Sequence, residues 1–147
     1  MRQRRPNPNS RYDQGYFDTF RPRKYVGKFP IIYRSGLEKK FMLYCEKSPD
    51  IMQWSSEPFP IPYKGPQGKQ HNYWIDFVVI NRKGQRVLIE VKPKKDIPQN
   101  ESQIMLNPVM KKNAAKWAAT KEYCARTPNT FFMIVTESFF ERITIKI

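Results

Sequence analysis

Two apolar segments, Asp76-Phe-Val-Val-Ile80 and Arg86-Val-Leu-Ile-Glu90-Val-Lys92, constrain this chain most, because charged groups interrupt them. Ile75, Phe77, Val78, Val79 and Ile80 on one side, and Val87, Leu88, Ile89 and Val91 on the other, predict strands buried on both faces. A charge there is costly unless it is paired or binds a metal. Glu90 and Lys92 lie two positions apart, so on a strand both point to one face, roughly 6 to 7 Å apart.

Whether Asp76 joins them depends on the hairpin. If Arg82-Lys83-Gly84 forms a three-residue loop, with Gly84 in the left-handed position, Asn81 pairs with Gln85 and Asp76 falls opposite Glu90. A two-residue loop at Lys83-Gly84 sets Phe77 across from Glu90 and turns Asp76 away. In the first register two carboxylates face each other and would repel. Mg2+ or Mn2+, which favour oxygen ligands and usually keep waters, would remove that repulsion and leave Lys92 beside a bound water. The plainer alternative is a Glu90–Lys92 ion pair on an exposed strand, with Asp76 capping a turn.

The charge balance points to a polyanion. With 27 Lys plus Arg against 13 Asp plus Glu, the chain carries +14 in 147 residues, and its pI near 9.9 suits nucleic-acid binding. No apolar run approaches the 18 or so residues that span a bilayer, and no signal peptide is visible, so a soluble cytosolic protein without membrane contact is expected. Cys45 and Cys124 are read as buried reduced thiols, since no C-x-x-C accompanies them. The lone histidine, His71, excludes chemistries that need paired histidines. A nuclease built on this chain would use carboxylates and lysine.

Residues 1–28 are basic, proline-containing and without period. They read as a flexible arm that lies along nucleic acid, docks on another protein, or is a plain disordered tail. Residues 29–147 suit one domain. Ser35-Gly-Leu-Glu38 is a capping-box pattern opening a helix to about Lys47, with Leu37, Phe41, Tyr44 and Cys45 buried. Glu38 is its reciprocal cap, and a helix packed on the sheet could also bring it to the metal as a third carboxylate. Short strands are expected at 51–56 and 58–63, the second demoted to an edge by Pro58, Pro60 and Pro62. After a basic loop from Pro93, Asn107-Pro108 starts a helix to about Arg126. Its Met110, Ala114, Trp117 and Cys124 form an apolar stripe flanked by Lys111, Lys112, Lys116 and Lys121. Lysines on a helix are usually a solvated face, but one or two here could hold a phosphate. Thr130–Thr136 reads as a buried strand and Arg142–Ile147 as a last alternating one. No repeats, glycine-rich phosphate loop or G-x-S-x-G elbow occur.

Glu38 on a first helix, Asp76 ending Tyr73-Trp-Ile-Asp76, and Glu90-Val-Lys92 on the next strand together resemble the PD-(D/E)XK nuclease superfamily, in the branch containing the TnsA transposon endonuclease. Tyr33-Arg-Ser-Gly-Leu-Glu-Lys-Lys-Phe-Met42, Trp54-Ser-Ser-Glu57, Ile61-Pro-Tyr63, Glu90-Val-Lys-Pro93, Lys116-Trp117, Glu122-Tyr-Cys124 and Thr136-Glu137 are similar to the head completion proteins of T-even-type tailed phages. The family's Pro-Asp dipeptide is Ile75-Asp76 here, which bears on backbone shape, since that proline is no ligand.

The resemblance implies an α/β (α+β) fold: a restriction-endonuclease-like mixed β-sheet flanked by helices, in the order α-β-β-β-α-β, here with an extra C-terminal strand. It implies a Mg2+- (or Mn2+-) dependent DNA endonuclease that processes DNA at the end of packaging. Such a protein would sit in the virion head or neck, and in the host cytoplasm during assembly, with DNA and portal, neck or head proteins as partners. Asp76, Glu90 and the Val91 main-chain carbonyl would hold the ion, Glu38 would join directly or through water, and Lys92 would serve the attacking water. Arg34, Lys94, Lys112 and Lys116 are the expected DNA contacts. Two other readings stay open: a non-cutting adaptor that binds DNA or the portal, and a branched-DNA resolvase.

Overall fold

A computed structural model describes residues 5–6, 13–65 and 67–145. After a two-residue strand, β1 (Gly15–Tyr16), paired with β2 (Ile32–Tyr33), comes α1 (Gly36–Lys47), then β3 (Ile51–Ser56), β4 (Pro60–Lys64), β5 (Gln70–Trp74), β6 (Phe77–Asn81) and β7 (Arg86–Val91). A short α2 (Glu101–Leu106), the long α3 (Pro108–Arg126), β8 (Thr130–Val135) and α4 (Glu137–Ile145) complete the described chain.

The central sheet has the order β3-β6-β7-β8, antiparallel except where β7 pairs in parallel with β8. Alternation along its strands sends side chains to two cores. Phe77, Val79, Ile89 and Val91 pack with Phe41, Met42 and Cys45 of α1. Val78 and Leu88 point the other way, toward Cys124 of α3 and the β4–β5 ribbon. The two faces confirm the expectation of doubly covered strands, and each large side chain such as Phe77 contributes about 1.5 to 3 kcal/mol by burial. Both cysteines are free and buried, as expected, and burial pushes their thiols above the ordinary range.

α1 and α3 begin where their caps lie: Ser35 Oγ accepts from Glu38 N at 3.1 Å, and Asn107 Oδ1 accepts from Val109 and Met110. Gln70–Trp74, where no strand was expected, pairs with β4 in a separate ribbon, and the chain bends at Ile75-Asp76 into β6. Polar Gln70, His71 and Asn72 gave that strand no apolar signature. α2, capped by Asn100, also lies where a loop was expected.

Two expectations are corrected. The extra C-terminal strand is not formed: residues 137–145 are helix α4, and 146–147 lie outside the described residues. Phe139 and Phe140 pack on the α1-side core, with the Phe139 ring 5.0 Å from that of Tyr44, so a helical stripe overrides the short alternation after Arg142. The arm, in turn, does not extend to residue 28. Phe17 is wholly buried, its N–H donates to Ile31 O at 2.7 Å, and the Tyr25 ring meets that of Trp54 at 4.7 Å. Single aromatic anchors need no period, which is why none was visible. The expected flexibility of residues 1–4 and 7–12 falls outside the described residues. Among the described residues no helix is long and apolar enough to cross a membrane.

Candidate functional site

The hairpin adopts the odd-loop register. Asn81 N donates to Gln85 O at 3.0 Å and Gly84 N to Asn81 O at 2.9 Å, with Gly84 at φ 79°, a conformation glycine adopts without strain. Asn81 Oδ1 also accepts from the N–H groups of Lys83 and Gln85, a turn-organising role that sequence reasoning overlooked. The ladder then pairs Val79 with Val87 and Phe77 with Ile89. Continued by one step, it sets Asp76 beside Glu90, and period two puts both on the face that carries Leu88.

At this point the ladder ends, because the chain before Asp76 turns into β5. Val91 N–H finds its acceptor in Asp76 Oδ2 at 2.8 Å, while Asp76 O accepts from Glu57 N at 2.9 Å. Asp76 therefore closes the strand junction and still presents a carboxyl to Glu90. Burial is the main reason its carboxyl is pushed well above the usual range, followed by the charges of Glu90 and Glu38; contact with Glu90 adds to the rise and the Val91 N–H opposes it.

Glu90 is only 4% exposed, so its charge must be met by donors. Tyr73 Oη donates to Glu90 Oε2, and Trp117 Nε1 donates to the same oxygen at 3.2 Å. Neither residue was singled out for this role from sequence; Trp117 was visible only as part of an apolar stripe. Ser35 is the cap of α1, and Glu38 Oε1 accepts not from the N-cap N–H but from Arg34 N, one residue earlier, at 3.2 Å; its charge is felt at Asp76. Holding the chain's entry into α1 and proximity to the acids are thus combined in one side chain.

These groups line a cleft of about 540 Å3 that brings together Glu38, Asp76, Glu90, Val91 and Lys92 with Arg34, Lys112 and Lys116. Lys116 Nζ lies 5.4 Å from the centre of the Tyr73 ring. Burial, then the neighbouring Lys92 and Lys112, lower its pKa against the pull of Glu90 and Asp76. Arg34 Nε is 3.1 Å from Glu57 Oε1, so that guanidinium is anchored at the cleft wall. Lys94 is not among the lining residues: it is exposed on a 3-10 turn whose N–H donates to Glu137 Oε1.

Among the described residues no three His, Cys, Asp or Glu side chains are gathered into a ready-made metal cage. The donor chemistry nonetheless fits Mg2+ or Mn2+. Two facing carboxyls supply oxygen ligands that repel until a cation separates them, and Mg2+ commonly uses one or two carboxylates and keeps several waters.

Comparison with known proteins bears on the family. The chain is 35% identical over 117 residues to the head completion nuclease of Enterobacteria phage T4, covering 79% of this chain and 75% of that protein. No solved structure matches. Residues 48–137, which hold β3 to β8 and three of the four cleft residues expected to carry chemistry, match the TnsA-like endonuclease N-terminal family, and the chain belongs to that family.

Proposed function

We propose that this protein is a Mg2+- or Mn2+-dependent DNA endonuclease that acts in phage head completion, trimming or nicking DNA at the end of packaging. The observation that carries the reading is the facing pair of half-buried Asp76 and buried Glu90 on one sheet face, in a cleft also lined by Lys92, Lys112, Lys116 and Arg34. The likeness to the phage T4 head completion nuclease supports both the activity and the setting. Portal, neck or head proteins are then the partners, and the virion, or the host cytoplasm during assembly, is the place of work.

Asp76 and Glu90 would hold the ion with the Val91 main-chain carbonyl, and Glu38 would join directly or through water. When bound, a divalent ion supplies a water of lowered pKa and positive charge beside the phosphate. Lys92, two positions from Glu90 on the same edge, orients the attacking water or stabilises the charge that grows on phosphorus-bound oxygen. Lys112 and Lys116 hold the backbone phosphates on either side, and most affinity comes from such contacts.

Supercoiled plasmid tests the reading. Nicking in Mg2+ or Mn2+ that stops with EDTA and with Asp76→Asn is the expected result. Tight, salt-sensitive binding with no nicking overturns it and leaves a DNA-binding adaptor. Lys92→Ala is expected to cut at least about a hundredfold more slowly with nearly unchanged DNA affinity; cutting at the wild-type rate removes Lys92 from the mechanism.

A further inference from the structure

Each of the two facing acids has one oxygen held by N–H or O–H donors, and the two carboxyls also touch each other. Asp76 Oδ2 takes the Val91 N–H at 2.8 Å. Glu90 Oε2 takes both the Tyr73 hydroxyl and the Trp117 indole N–H. An indole N–H donates and cannot accept, so it holds that oxygen as an acceptor and in one place. Donors crowded on a single oxygen fix the plane of the carboxylate, and neither of them uses Oε1, the oxygen that the ion would take.

We propose that Tyr73 and Trp117 are positioning residues that force Glu90 to bind its ion through one oxygen, and thereby select a small octahedral ion over Ca2+. The inference rests on the metal-site reading above and concerns how that site discriminates. Mg2+ and Mn2+ accept single-oxygen carboxylate ligands and complete their shells with water. Ca2+ takes six to eight oxygens and gains from carboxylates that chelate through both. With Oε2 of Glu90 and Oδ2 of Asp76 both occupied by protein donors, chelation by either acid requires breaking a hydrogen bond in a site where Glu90 is 4% exposed. Calcium loses ligands there that manganese does not need.

The three pieces of the device come from different elements: Glu90 from β7, Tyr73 from β5 and Trp117 from α3. Tyr73 also carries Lys116 over its ring, so its phenylalanine variant keeps that packing and removes only the hydroxyl. Trp117→Phe keeps an aromatic side chain in the α3 stripe while removing the N–H together with part of the buried ring volume.

The test is calorimetric titration of the full chain, free of DNA, with Mn2+ and separately with Ca2+. Wild type is expected to bind Mn2+ more tightly than Ca2+. In Tyr73→Phe and in Trp117→Phe the ratio of the two affinities is expected to fall about tenfold, in line with the cost of losing a group that orients a metal ligand, while circular dichroism shows each variant folded. Equal loss of both affinities, or an unchanged ratio, overturns the proposal, because a merely structural role would weaken both ions alike. Glu90→Gln and Asp76→Asn separate this from failure of the site itself. If they bind Mn2+ as wild type does, the acid pair is not the ion site and both readings fall. If they lose Mn2+ while the aromatic variants keep the wild-type ratio, only the selection device falls.

Discussion

Glu46 and Glu90 are both glutamates that receive an indole N–H, yet they are used in opposite ways. Glu46 Oε1 accepts from Arg23 N at 2.7 Å, and its Oε2 accepts from Lys24 N at 3.1 Å and Trp54 Nε1 at 2.6 Å. Both oxygens are engaged. Its charge is consumed in fastening the segment before β2 to α1 and β3. Glu90 has its donors on one oxygen and a second carboxyl opposite. The difference separates a carboxylate with both oxygens engaged by donors from one that the proposed function makes an ion ligand, and donor geometry tells them apart where burial alone would not.

Breaking each glutamate sharpens that contrast. The largest effect is expected from Glu90→Gln, which keeps side-chain volume and an acceptor for Trp117. Cleavage should fall at least about a thousandfold, the scale of losing a metal ligand, with the melting temperature little changed. Glu46→Gln in the same assay should cut at the wild-type rate; a comparable loss would erase the distinction. Next is Glu46→Ala, which strands two backbone N–H groups and the Trp54 indole, itself only 1% exposed. A loss of about 3 kcal/mol is expected, or about 6 to 12 °C in calorimetric Tm, at unaltered metal affinity.

The smallest effect is a gain. Asp76→Asn should stabilise the metal-free protein by about 1 kcal/mol at pH 8, since an amide can still accept the Val91 N–H without facing Glu90 as a charge. Because the folded-state pKa of Asp76 is raised, its favourable contribution is complete below the ordinary aspartate pKa and is lost as pH rises toward the raised value. The variant's advantage should therefore vanish near pH 3 and grow through the acid range in thermal melts with EDTA. An advantage that is the same at all pH values would mean that the carboxyl is not under strain from its neighbour.

The charges inside β6 and β7, and the odd loop that aligns them, were legible because period-two alternation and the glycine at position 84 are local signals. The caps of α1 and α3 were legible for the same reason. The partners of Glu90 were not: Tyr73 and Trp117 are far from it in sequence, and each reads locally as an ordinary apolar residue. Glu46 is a surface helix residue by pattern and becomes an anchor only once Arg23 and Lys24 fold over it. The strand β5 was hidden by Gln70, His71 and Asn72, which face outward and give no hydrophobic beat. Helix α4 was missed because six residues of apparent alternation outweighed the Phe139-Phe140 pair, whose packing on the α1-side core, with Phe139 against Tyr44, decides the matter.

The bend at Ile75-Asp76 gives one short ribbon two duties. It carries the β4–β5 ribbon out of the central sheet at the end of β6, with Asn72 and Trp74 lining the cleft and the Tyr73 hydroxyl donating to Glu90. One ribbon thus supplies both a wall of the cleft and a donor that aligns the acid.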